Sequence, residues 1–223
     1  MKKIFAMLAV VLALGSCATN KQEKRELKVN PDAQKIPITA IEAQFDAVMG
    51  FGGIKKNNIA VEYYPSEDAV CLQFRQNYVT YNLFWGRDGR ETFKKALDKY
   101  KLDYSDKKLE QKSKNSKEKY GKAHGFLAWQ LQSFGELYNG PLTVEMGYLF
   151  RDKSPYFVVV QGEALHKDRF SEVNDRLSSA MNIYFTRAQA ETLAEIFDPF
   201  FLRGLITTDT RVNVESKANK DDY

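Results

Sequence analysis

Two stretches of this chain, set 100 residues apart, carry the same junction between a strand and a helix. Asn82, Arg87, Glu91 and Thr92 meet Asn182, Arg187, Glu191 and Thr192. Leu83, Phe84 and Trp85 meet Ile183, Tyr184 and Phe185, and the stripe Phe93, Ala96, Leu97, Tyr100 meets Leu193, Ile196, Phe197, Phe200. In both copies the apolar spacing changes from two to three-and-four at the same point. That change marks a strand running into an amphipathic helix. Only four of the 16 positions starting at 82 and 182 are identical, yet the register of core-facing residues is kept. The shared constraint is therefore on packing, and with the repeated order of elements it is consistent with an internal duplication.

The segments around each junction follow the same grammar. Ile59–Tyr64 and Ala69–Arg75 flank the turn Pro65-Ser66-Glu67-Asp68, and Tyr78–Trp85 follows Gln76-Asn77. Alternation with turn chemistry predicts an antiparallel meander. In the second half, Ala123–Phe134, Leu142–Phe150 and Tyr156–Glu163 read as strands, with turns at Asn139-Gly140-Pro141 and Asp152-Lys153-Ser154-Pro155. Ala180–Phe185 reads as a further strand, and Thr186 to Gln189 as a capping box opening a helix that Asp198-Pro199 stops. Two shorter pieces read as helical. Thr39–Met49 spaces Ile41, Phe45, Val48 and Met49 as an amphipathic helix stopped by Gly50-Phe51-Gly52-Gly53, and Phe170–Leu177 reads as a helical insertion. The expected fold class is α+β, with two tandem antiparallel meanders over 39–104 and 123–203, each followed by a covering helix.

Between these units, residues 105–122 are rich in lysine and serine and read as a linker. Two Ser-x-x-Lys matches fall inside it, at Ser105–Lys108 and Ser116–Lys119, but a catalytic match requires a helix start within a pocket. Residues 204–223 read as a polar tail.

The beginning of the chain is of another kind. Lys2 and Lys3 precede an uncharged run from Ile4 to Gly15, and Leu14-Gly15-Ser16-Cys17 closes it. The run has 12 residues, against the ~20 needed to span a bilayer as a helix, so it fits a removable signal. Its end resembles the lipobox of bacterial lipoproteins. That resemblance covers residues 1–17 and implies removal of 1–16, lipid attachment at Cys17, export, and residence on the cell membrane or the outer membrane. Residues 17–38 then read as a lipid-anchored tether, polar and charge-mixed.

Composition narrows the function classes. Without Lys2 and Lys3 the formal charge falls from +4 to +2, and a dedicated nucleic-acid binder needs a stronger basic patch. There are two cysteines, so a lipid-modified Cys17 leaves Cys71 without a disulfide partner, and Cys71 reads as a half-buried strand residue. His124 and His166 lack metal-ligand spacing. Gly-x-Ser-x-Gly, His-Glu-x-x-His and Gly-x-Gly-x-x-Gly do not occur, and Gly50–Gly53 lacks the Gly-Lys-Ser/Thr of a phosphate loop. The residues name no catalytic group, metal or cofactor.

In outline, the strands-then-helix units at Tyr81–Tyr100 and Met181–Phe197 are similar to the whirly and Pur-type folds. That resemblance implies binding of single strands on the sheets. An exported and nearly neutral chain points elsewhere, and no nucleic-acid partner is expected. Trp85, Arg87, Trp129 and Tyr148 are the candidate binding surface. The expected function is a non-enzymatic binding or adaptor module of the cell envelope. It would be held to the membrane through Cys17 and engage an envelope protein or other envelope component. The alternatives are an envelope-acting hydrolase and a lipid carrier.

Overall fold

Apolar residues at alternating positions in eight strands roll the described chain into one closed barrel. The structure is a computed structural model and describes residues 27, 29–47, 55–110, 120–131, 135–151, 153–168 and 175–207. The barrel strands are β1 (Ile36–Ala47), β2 (Lys55–Tyr64), β3 (Ala69–Gln76), β4 (Val79–Trp85), β5 (Gly121–Leu131), β6 (Leu137–Arg151), β7 (Ser154–Gln161) and β10 (Met181–Phe185). A two-stranded hairpin, β8 (Leu165–His166) with β9 (Arg176–Leu177), lies between β7 and β10. Each barrel strand pairs antiparallel with the next, and β10 closes the ring on β1 from Gln44↔Tyr184 to Ala47↔Met181. Three helices complete the fold: α1 (Arg87–Ser105), α2 (Arg187–Ile196) and α3 (Pro199–Thr207).

The expected pair of tandem meanders, each under its own helix, is overturned by this closure. β4 pairs with β5 from Val79↔Leu131 to Phe84↔Phe126, so the two halves share one sheet. Two separate meanders would leave four unpaired strand edges, and closing the ring leaves none. The helices accordingly gather at one end of the barrel instead of covering two sheet faces. The aligned junctions fall on β4–α1 and β10–α2, and β4 and β10 stand four strands apart in either direction round the ring.

Large side chains fill the inside. Phe45, Ile59, Leu72, Leu83, Leu127, Val144, Val159 and Ile183 point inward and are fully buried. At the helical end Trp85, Phe93 and Phe197 pack ring to ring, with centroids 5.0 to 5.7 Å apart, and Phe157 meets Phe93 edge-on at 5.3 Å. Edge-to-face geometry suits the charge distribution of aromatic rings, and such pairs add about 0.5–1.5 kcal/mol beyond area burial. The Tyr100 hydroxyl donates to the Pro155 carbonyl at 2.7 Å, which ties α1 to the start of β7.

The opposite end is closed by the β8–β9 hairpin and its flanks. Ala164 is fully buried, its N–H donates to Ser178 Oγ at 2.8 Å, and the Ser178 N–H returns a bond to the Ala164 carbonyl at 2.9 Å. His166 lies against Tyr138, which packs on Trp129. Gly140 makes this crossing feasible, because a Cβ there would run into the Leu165 carbonyl.

Outside the barrel, Tyr64, Cys71, Phe84, Phe126 and Ala128 form a second apolar cluster on β2–β5, covered by Leu27, Val29 and Ala33. Leu27 seats against Gly86, where an added Cβ would come within 3.2 Å of it. Part of the expected tether is thus packed: Val29 is buried and β1 takes in Ile36 and Ile38. Residues 1–26, with the signal and Cys17, lie outside the described residues.

Four local expectations also change. Residues 39–47 are strand, because Ile41, Ala43 and Phe45 alternate inward. Asn139-Gly140-Pro141 lies within β6, paired with Ala128, Leu127 and Phe126. Within the expected helix at 170–177, Arg176 and Leu177 pair with His166 and Leu165, and 170–174 lie outside the described residues. Pro199, expected only to stop a helix, opens α3, since its missing N–H costs nothing at a first helical position.

Candidate functional site

A cleft of about 490 Å³ opens at the helical end, lined by Tyr63, Asp68, Arg87, Glu91, Leu202 and Arg203 among others. Its Tyr63 and Asp68 stand on either side of the short turn Pro65–Glu67 between β2 and β3. Asp68 ends that turn with φ 44, a left-handed conformation that aspartate tolerates better than most residues. This turns the Asp68 carboxylate back onto the start of α1. Arg87 donates to its Oδ2 from Nε at 3.1 Å and from Nη2 at 2.9 Å. Arg90 donates from Nη2 to Oδ1 at 2.7 Å, and from Nη1 to the carbonyls of Asp68 at 2.5 Å and Trp85 at 3.1 Å. Tyr63 adds its hydroxyl to Oδ1 at 3.4 Å.

The two arginines differ in kind. Arg90 is 2% exposed and spends its terminal nitrogens on the turn and on the last residue of β4, so it works as a clamp. Its Nε is buried with no partner. Arg87 is 66% exposed and lines the cleft while two of its nitrogens hold Asp68. Burial, followed by the neighbouring Asp68 charge, pushes the Tyr63 hydroxyl above its usual range, so it stays a donor. Deeper along α1, Lys94 bonds Asp198 at 2.8 Å and holds that carboxyl below its usual range, while Lys101 reaches Glu191 at 2.9 Å. Salt bridges thus fasten α1 to the turn on one side and to α2 and the start of α3 on the other.

Among the described residues no group of three His, Cys, Asp or Glu could hold a metal ion. Cys71 faces outward on β3 but lies wholly beneath the Leu27–Ala33 segment. Burial pushes its thiol well above the usual range, which keeps it protonated and unreactive.

The structure separates the four residues expected to share a surface. Trp85 is fully buried between Phe93 and Phe197. Trp129 is inside the barrel beside Tyr138. Tyr148 is buried, and its hydroxyl bonds the backbone of Glu110. Arg87 alone reaches the cleft. The reason is strand parity: Trp85 shares its face with Leu83 and Tyr81, and Trp129 with Leu127, which are the inward faces. Asp68, Tyr63 and Arg90 were the residues missed. Arg90 had a signal, since it stands three residues before Phe93 and seven before Leu97, within the buried stripe of α1.

Apolar side chains are exposed at both ends. At the hairpin end these are Tyr78, Leu131, Leu165 and Leu177, and at the helical end Leu102, Phe200 and Ile206. Tyr78 is singular, because it and Asn77 form the two-residue turn between β3 and β4 with φ 68 and 47. Such a turn favours glycine at its second position, so a 67% exposed tyrosine there sits on a strained backbone.

Fold and site together define a closed eight-stranded antiparallel barrel, sealed by helices at one end and by a hairpin at the other. No curated protein and no solved structure matches the chain. Residues 2–203 match a family model described as "Uncharacterised Treponema protein", and the chain belongs to that family.

Proposed function

We propose that this protein is an exported, lipid-anchored adaptor of the cell envelope, which holds a partner protein on the hairpin end of its barrel. The observation that carries the reading is the group of exposed apolar residues there, with Tyr78 at its edge. Exposed and strained residues are kept where a surface is used. The anchor rests on Leu14-Gly15-Ser16-Cys17 and the uncharged run before it. Lipid carriage fits less well, because the barrel interior is filled by the side chains of Phe45, Leu72, Leu83 and Ile183. Hydrolysis fits less well because the cleft's Asp68 is committed to Arg87, Arg90 and Tyr63.

Two substitutions test this. Cys17→Ser should move the protein from the membrane to the soluble fraction, and unchanged fractionation defeats the anchor. Tyr78→Gly should relieve the turn and stabilise the barrel by about 1 kcal/mol, the scale of a left-handed penalty. It should also reduce crosslinking of the protein to its partner in intact cells. A variant that is more stable and still crosslinks fully would remove the hairpin end from the binding surface.

A further inference from the structure

We infer that the helical end of the barrel lies against the bilayer, with the exposed face of α3 resting on anionic lipid headgroups. The inference rests on the reading of Cys17 as the lipidated residue, and it adds an orientation and a second contact surface.

The first ground is the length of chain between the lipid and the fold. Leu27 seats against Gly86, the residue capping α1, so the folded part begins at the helical end. Ten steps separate Cys17 from Leu27. Ten steps reach ~33–36 Å at full extension, from ~3.3–3.6 Å each. Crossing the barrel along β4 alone, with its 7 residues, takes ~23 Å at ~3.3 Å per residue. The connection therefore lets the helical end rest on the lipid with slack, whereas reaching with the hairpin end would take up about two-thirds of its full extension.

The second ground is what that end displays. α3 buries Leu202 and Leu205 and turns Phe200, Arg203 and Ile206 outward, with Phe200 78% and Ile206 56% exposed. The Arg203 guanidinium stands over the Phe200 ring, 4.8 Å from its centroid. Within its nine residues Arg203 is the one charge, and there is no acid. An aromatic ring and an aliphatic side chain beneath an arginine match the boundary of a bilayer, where apolar parts enter the acyl region and the cation stays with phosphate. Three such residues would bind weakly alone. Held by a lipid a few ångströms to tens of ångströms away, they act at high effective concentration and fix orientation.

The test uses a tether that does not depend on native lipidation. The core lies between Val29 and Leu205, so a chain starting at Ala18 keeps all of it. This chain carries an added N-terminal run of histidines and is captured on vesicles of phosphatidylcholine, phosphatidylglycerol and a nickel-chelating lipid. A fluorophore is placed at position 206 through Ile206→Cys, or at position 177 through Leu177→Cys, and Cys71 is too buried to be labelled. A lipid-borne nitroxide should quench the dye at 206 several-fold more than at 177. Phe200→Ser combined with Arg203→Glu should lower the quenching of a dye at 206 toward the level at 177, and quenching unchanged by the two substitutions overturns the contact of α3. Equal quenching at both positions, or more at 177, overturns the inference. So does a signal at 206 that grows with protein density on the vesicle, which would assign the face to a second copy. If Cys17→Ser fails to release the protein from cells while this quenching holds, the anchor reading fails and the surface survives.

Discussion

The two ends of the barrel are sealed by different physics. At the helical end Trp85, Phe93, Phe157 and Phe197 interlock, and the charged residues around them fasten one helix to the next. At the hairpin end the seal is thin. Among the described residues, buried Ala164 and the ring of His166 against Tyr138 are its apolar part, and reciprocal hydrogen bonds with Ser178, one from Gln161 to Ser179 at 3.3 Å, and His166 against Asn139 hold it. Aromatic burial is worth several kcal/mol per residue, while a neutral hydrogen bond nets about one. The helical end should therefore carry global stability, and the hairpin end should be able to open locally without unfolding the barrel.

This contrast can be broken by mutation. Phe93→Ala removes the ring shared by three aromatic neighbours and should cost about 3–5 kcal/mol in urea unfolding. A loss below about 1 kcal/mol would show that the helices do not close the barrel energetically. Next comes the clamp. Arg90→Ala strands the carbonyls of Asp68 and Trp85 and should cost about 2–3 kcal/mol, while Arg87→Ala, exposed on the same carboxylate, should cost under about 1 kcal/mol. Equal costs would mean that burial does not separate the two arginines. Smallest is Ser178→Ala, at about 1 kcal/mol or less globally. Its sharper signature is hydrogen exchange at the Ala164 amide, which should speed up while amides of β3 and β4 stay protected. Uniform exchange across the molecule would show the hairpin to be part of one cooperative unit.

Much of the local structure was legible because it is written within a few residues. β2, β3, β4, α1, β10 and α2 follow their own alternation, stripe and capping residues, and the Thr186–Gln189 box forms with both reciprocal bonds. β1 was misread since Ile41 and Phe45 satisfy a helix at four-residue spacing and a strand at two; Ala43, small and buried, carried the deciding alternation. Asn139-Gly140-Pro141 has turn composition, yet Gly140 is there to let β8 cross β6. Closure itself leaves no local trace. The β1–β10 seam joins residues nearly 140 apart, and what selects it is the absence of any other partner for those edges. The site followed the same rule: Arg90 showed its anomaly within one helix, whereas Asp68 gained meaning only when a turn from another part of the chain came to face it.

That seam also orders events in time. The last of the described strands, Met181–Phe185, supplies the pairing for both β1 and β7, so a chain emerging from its N-terminus cannot complete the ring until that strand is present. Until then the nascent chain shows two adhesive edges to its surroundings, the hazard of slow, long-range pairing. The same closing strand that makes the finished barrel edge-free leaves the unfinished one open until it arrives.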